Sequence, residues 1–168
     1  FTYGMLTNQG VVPSISPAAR PRGGSELQPE ESTNYTLGAY ASLGAFDVTM
    51  DYFFINVDDR LNLSSNFTLT AADLATLLNQ GIDASDISQL RFFTNQFETD
   101  ISGIDVVVST ETPCLNGVTT WQLAYNLTTT EVVDRDPALF NNGRVRLIQD
   151  GVPGTRWNFT ANHNFEQW

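Results

Sequence analysis

The sequence predicts a mainly β chain, an antiparallel meander of about five to six strands, with two short helices carried in one long loop over 70–90. Three observations predict it. Apolar and polar residues alternate over segments of roughly ten residues. Those segments are joined in turn by short connections and long ones. The polarity comes from Asn, Thr, Ser and Gln more than from charge, since 16% of residues are charged against about 25% in a typical soluble domain.

Taken in order, residues 1–30 carry a short β-prone start at Phe1-Thr2-Tyr3, then Pro13, Pro17, Pro21 and Pro29 with Gly10, Gly23 and Gly24, which predicts a long irregular loop. From 31 to 43, Tyr35, Leu37, Ala39, Ala41 and Leu43 alternate with Thr36, Gly38, Tyr40 and Ser42, and Gly44-Ala45 suits a hairpin turn. The returning strand, 46–58, sets Phe46, Val48, Met50 and Tyr52 against Asp47, Thr49 and Asp51, and where Phe53-Phe54-Ile55 blurs the register either a bulge or the strand's exit from the buried zone is expected. A polar loop follows over 62–68. Thr70 with Asp73 reads as a capping box, with Leu74, Leu77 and Leu78 on one helical face and Gly81 as the stop. Asp83 reads as the N-cap of a second helix stapled by Ile82 and Ile87.

The organising strand is expected over 92–109, with Ile104, Val106 and Val108 on one face and Gly103, Asp105, Val107 and Ser109 on the other. A turn over 110–117 leads to the clearest alternation in the chain: Thr119, Trp121, Leu123, Tyr125 and Leu127 against Thr120, Gln122, Ala124, Asn126 and Thr128. Residues 131–154 read as a second long loop, and Trp157, Phe159, Ala161, His163 and Phe165 open a last strand that ends near a turn at 166–167. The expected hairpins pair 31–43 with 46–58 and 92–109 with 118–130.

At 168 residues one domain is the expectation. All eight basic residues are Arg, and with 19 acidic residues the net charge is −11, which argues against a nucleic-acid partner. The single cysteine, Cys114, excludes a disulfide framework or a thiolate metal site. No stretch reaches the roughly 18 apolar residues of a spanning helix. The first residue is Phe1 and not Met, which suggests a piece of something longer.

Strands with one apolar and one polar face suit two environments. In a soluble sandwich the apolar faces meet one another; in an outer-membrane barrel they meet lipid while the polar faces line a wet interior. Favouring the barrel are the Asn- and Thr-rich polar faces, the alternation of short and long connections, and aromatic residues near strand ends. Phe46, Trp121 and Phe165 fall by the short turns, and Tyr35, Phe92, Phe93 and Trp157 by the long ones. The alternative is a secreted β-sandwich binding or adhesion module.

Three segments carry a family resemblance. Leu27-Gln28-Pro29-Glu30-Glu31-Ser32-Thr33-Asn34-Tyr35-Thr36-Leu37-Gly38 resembles the L-x-P-E-x-S-x-x-Y-x-x-G signature in the barrel of TonB-dependent outer-membrane receptors. Asp51 to Leu61, with Asp59-Arg60, is similar to that family's D-Y-F-x-I-x-I-x-D-R-I strand. Arg91-Phe92-Phe93-Thr94-Asn95, with Gly103 and Asp105, is similar to its R-F-F-T-N-A strand. The resemblance implies a bacterial (Gram-negative) outer-membrane barrel of about 22 strands with an N-terminal plug. It implies uptake of a small scarce nutrient, such as a ferric siderophore, cobalamin or a glycan, energised by the TonB complex, with outer-membrane lipid as the other partner. The plug and TonB box are not in this sequence and the strands are too few to close a barrel, so the expectation is a fragment of the C-terminal half, prone to self-association through open edges.

Other groups read more simply. Arg20, Arg22, Arg135, Arg144 and Arg146 fall in the expected extracellular loops and are candidates for an anionic ligand. Asp47, Asp51, Asp58 and Asp59 need no cation or catalytic pair to explain them. His163 shares the parity of Trp157, Phe159 and Phe165, and no metal-spaced partner or G-x-S-x-G motif accompanies it. No cofactor, metal or catalytic residue is therefore expected. The Asn-x-Ser/Thr triplets at Asn34, Asn62, Asn66, Asn126 and Asn158 reflect composition.

Overall fold

The computed structural model describes residues 8–165; the β-prone start at Phe1-Thr2-Tyr3 and the turn at 166–167 lie outside them. In chain order the elements are β1 Gln9–Val11, a 3-10 turn Arg20–Arg22, β2 Glu31–Leu43, β3 Phe46–Asp58, β4 Asn62–Leu63, β5 Phe67–Thr68, α1 Ala71–Asn79, β6 Gln89–Arg91, β7 Phe93–Thr94, β8 Phe97–Cys114, β9 Gly117–Arg135, α2 Asn142–Asp150 and β10 Thr155–Phe165. The long strands form one five-stranded sheet in the order β10-β9-β8-β3-β2, an up-and-down meander in which 59–96 is inserted between neighbours β3 and β8. The short strands make a three-stranded sheet, β1-β6-β5, with β1 parallel to β6, and a two-stranded pair, β4-β7.

The amphipathic strands form as expected, and both anticipated hairpins are present as neighbouring strands, β2-β3 and β8-β9. Their ends differ from the sequence expectation. β3 runs as one strand, Phe46–Asp58, through Phe53-Phe54-Ile55. The strand expected from 92 starts at Phe97, because Asn95 and Gln96 interrupt it after β7. It then continues to Cys114, so the turn expected over 110–117 shrinks to Leu115-Asn116, with φ of 44° and 57°. Two positive φ values in succession match the twist of a two-residue hairpin. Side chains past 110 keep pairing across it: the Trp121 indole N–H donates to Thr112 Oγ1 at 2.9 Å and the Thr120 hydroxyl to Glu111 Oε1 at 3.3 Å.

Of the two helices expected in 70–90, the first forms. Thr70 Oγ1 accepts from the Asp73 N–H at 3.3 Å and Asp73 Oδ2 accepts from the Thr70 N–H at 2.7 Å, a reciprocal capping box. Gly81, at φ 79°, closes the segment. Leu77 is buried, whereas Leu78 on the expected apolar face is exposed. The second helix does not form. Asp83 Oδ1 accepts from the Ser85 N–H at 3.0 Å, an Asx turn, and Ile87 N–H donates to Ala84 O. A side chain that bonds its own nearby backbone competes with helix, and one turn does not repay nucleation.

The region 131–154, expected as loop, is strand to Arg135 and then α2. Asn141-Asn142-Gly143 reads as a turn, yet Asn141 Oδ1 accepts from the Arg144 N–H at 2.9 Å and Asn141 O from the Val145 N–H at 3.1 Å, which makes Asn141 an N-cap. Residues 1–30 likewise hold β1 and the 3-10 turn, and 62–68 holds β4 and β5.

The described chain divides into two compact units. The loop unit comprises the described residues up to 31 together with 57–99 and 132–147; the sheet unit comprises 32–56, 100–131 and 148 onward. Every buried apolar side chain among the described residues belongs to the loop unit: Ala18, Ala19, Leu77, Ala84, Leu90, Phe92, Phe97, Leu139 and Phe140. Phe67 stacks on Phe92 with centroids 5.8 Å apart, and Phe97 tilts against Phe140 at 4.8 Å. Phe92, expected in an interfacial girdle, is instead wholly buried, because its N–H and C=O are both tied to Ser64.

Candidate functional site

Cross-strand contacts settle which residues of the sheet unit share a face. Gly38 approaches Asp51, Tyr40 donates to Asp47 Oδ1 at 2.7 Å, Phe53 lies over Gly103, and the Asn126 amide donates to Asp105 Oδ1 at 2.7 Å. One face therefore carries Thr36, Gly38, Tyr40, Asp47, Thr49, Asp51, Gly103, Asp105, Gln122, Asn126, Asn158 and Thr160. The other carries Tyr35, Leu37, Phe46, Met50, Tyr52, Ile104, Trp121, Leu123, Leu127, Trp157, Phe159 and Phe165, all of them exposed. The β9-β10 register places Trp157 opposite Tyr125 and Phe159 opposite Leu123. Tyr125 and Trp157 rings pack at 4.4 Å, and Trp121 and Phe159 at 5.9 Å. His163 lies in this row, Nδ1 2.8 Å from Thr119 Oγ1 and edge-on to Phe165 at 4.3 Å.

Covering an aromatic or Leu side chain is worth about 1.5–3 kcal/mol each, and contiguous apolar patches beyond a few hundred Å² are rare on soluble monomers. This row, with Trp121 at 36% exposure and Trp157 and Phe159 at 65%, is a long uncovered apolar surface. Two glycines of the sheet are explained by space. A Cβ on Gly103 would stand 2.4 Å from Phe53 Cζ and 2.5 Å from Leu127 O, and one on Gly38 2.3 Å from Asp51 Oδ1.

In the loop unit the remaining motif residues gather into one polar knot. Asn95, buried, accepts from the Gln28 N–H and donates to Gln28 O and Asp59 O, each at 2.8 Å. Glu30 accepts from the Leu61 N–H. Arg60 donates to Thr99 Oγ1 at 2.8 Å, while its N–H meets Phe97 O. Thr94 is buried, its hydroxyl accepting from the Gln96 N–H at 3.3 Å; Phe93 is exposed. Pro29, Ser32 and Tyr35 lie exposed at the start of β2, with the Ser32 hydroxyl 3.2 Å from Asn34 Oδ1. Through these bonds Asn95, Glu30 and Arg60 link stretches of chain beside the ends of β2, β3 and β8.

The five candidate arginines are not brought to one place. Arg22 forms a two-pronged ion pair with Asp73, 2.6 and 3.0 Å, and also donates to Ala18 O. That guanidinium holds the Asp73 carboxyl well below the usual carboxylate range. Arg20 donates to Ile15 O, Arg135 to Phe140 O and Asn142 Oδ1, and Arg144 to Leu63 O and Asn62 Oδ1. Arg146 is exposed on α2. Their backbone acceptors lie four or five residues away for Arg20, Arg22 and Arg135 and 81 residues away for Arg144, and no sequence motif marks them. A cavity of about 450 Å³ lined by Asp58, Asp59, Glu98, Asp134 and Asp136 with Arg135 is acidic. Among the described residues no group of three or more His, Cys, Asp or Glu is arranged to hold a metal ion, and Cys114 is free and exposed. No helix is long and apolar enough to cross a membrane, which says nothing of strands.

A two-faced antiparallel meander with an uncovered apolar side and a Thr- and Asn-rich opposite side defines the class: a segment of a β-barrel wall. The profile of the family described as TonB dependent receptor-like, beta-barrel matches residues 2–168, and the chain belongs to that family. Its members are outer-membrane receptors and transporters, not enzymes. Neither the curated proteins nor the solved structures contain a significant match to the chain.

Proposed function

We propose that this chain is part of an outer-membrane active-transport receptor that takes up a scarce nutrient, a ferric siderophore, cobalamin or a glycan, with energy from the TonB complex. It is the wall segment of such a receptor, continued by a plug and further strands in the full-length protein. The observation that supports this reading is the continuous apolar row of β9 and β10, exposed and aromatic, opposite a face of amides and hydroxyls. The runner-up, a secreted β-sandwich, requires a second layer over that row. In the transport reading Arg20, Arg22, Arg135, Arg144 and Arg146 belong to the outward-facing loops, where free donors on them meet an anionic ligand.

The test is lipid contact by tryptophan. With the chain refolded into bilayers, brominated acyl chains should quench Trp121 and Trp157 emission strongly, and aqueous acrylamide weakly. A chain that stays monomeric and folded in detergent-free buffer, with no quenching by brominated lipid, would overturn the reading. Nutrient and energy source are tested in the full-length receptor, where uptake should disappear without TonB.

A further inference from the structure

The loop unit contains a second polar cavity, about 370 Å³, lined by Gln9, Ser64, Ser65, Asn66, Arg91, Asn141, Gly143, Arg144 and Leu147. In a chain of net charge −11 its only charged lining residues are two arginines. Neither is compensated: the ion pair present among the described residues is Arg22–Asp73. Arg144 is held in place by Leu63 O at 3.2 Å and Asn62 Oδ1 at 3.0 Å, which occupy Nε and Nη2. Arg91 differs, because its Nε is buried and has no acceptor among the described residues. A buried guanidinium donor without an acceptor costs more than an ordinary missing hydrogen bond. The first turn of α2 adds a favourable end of the helix dipole, and the Gly143 N–H there takes no acceptor among the described residues.

The geometry points to an oxyanion site: Arg91 and Arg144, with the Gly143 N–H and the Ser65 hydroxyl, bind a phosphate-type group. Guanidinium forks match such groups through paired hydrogen bonds, and a bound anion supplies the acceptor that Arg91 Nε lacks and separates two like charges. The site needs only the folded loop unit, so it stands or falls independently of whether the sheet spans a membrane.

The probe is inorganic phosphate, titrated into the chain folded in zwitterionic detergent and followed by ³¹P line broadening, with chloride at matched ionic strength as reference. Saturable broadening is expected. Arg91→Gln should weaken it at least tenfold, Arg91→Lys should fall between, and Arg156→Gln, the same charge change elsewhere, should leave it unaltered. Without any substitution, phosphate should slow phenylglyoxal modification of Arg91 several-fold, read by mass spectrometry. Lipid A micelles form a second arm: tighter binding there, still lost in Arg91→Gln, identifies a lipid headgroup as the source of the phosphate and sustains the site. Absence of saturation in both arms, equal effects of Arg91→Gln and Arg156→Gln, or an unchanged modification rate would overturn it.

Discussion

The two units of this chain solve the same problem, where to put apolar side chains, in opposite ways. The loop unit collects Leu77, Leu90, Phe92, Phe97, Leu139 and Phe140 into an interior and ties its backbone to Asn95, Ser64 and several arginines. The sheet unit holds no buried apolar side chain among the described residues and displays Trp121, Leu123, Trp157 and Phe159 outward. The first is built as water-soluble proteins are. The second has its hydrogen bonds satisfied strand to strand and leaves its greasy side uncovered, the arrangement that the proposed lipid contact would complete.

The largest expected effect tests the first half of that contrast. Phe92→Ala removes a wholly buried ring stacked on Phe67 and should cost the loop unit about 3–5 kcal/mol, seen as earlier denaturant unfolding of its amides in hydrogen exchange. Next, Leu123→Arg puts a charge in the middle of the exposed row. It should reduce folding into bilayers by about 2–4 kcal/mol while leaving detergent-free solubility unharmed or improved; a null effect in bilayers would return the sheet to the soluble class.

The smallest effect is electrostatic and confined to the loop unit. Asp73 has its carboxyl pKa lowered, chiefly by the Arg22 guanidinium beside it. A depressed carboxylate contributes stability that is fully present above its unfolded value, near 3.9, and is lost as pH falls below it. Acidification from pH 5 to pH 3 should therefore begin to loosen α1. Asp73→Asn should cost up to about 1 kcal/mol at pH 7 and remove that acid sensitivity, measured by thermal unfolding at each pH.

The strands were legible because a period of two is carried by every residue of a sheet with unlike faces. α2 was not, because Asn141-Asn142-Gly143 is equally good as a turn and as a helix start, and the choice depends on Ser65 Oγ receiving the Asn141 N–H at 3.0 Å from 76 positions away. The second helix at Asp83 failed for the reverse reason: its cap was real and the turn after it too short. Arginine roles were illegible because Leu63 O or Phe140 O as an acceptor leaves no mark in sequence, and Arg91 shows its distinctiveness only through what its Nε does not touch.

The carboxamide of Asn95, a residue two positions before β8, touches the chain three residues before β2 begins and one residue after β3 ends. A slip of one residue in any of these ribbons would exchange its oily and wet sides along the whole length. A single amide group, bonded to backbone alone, thus ties together the stretches of chain that enter and leave these ribbons.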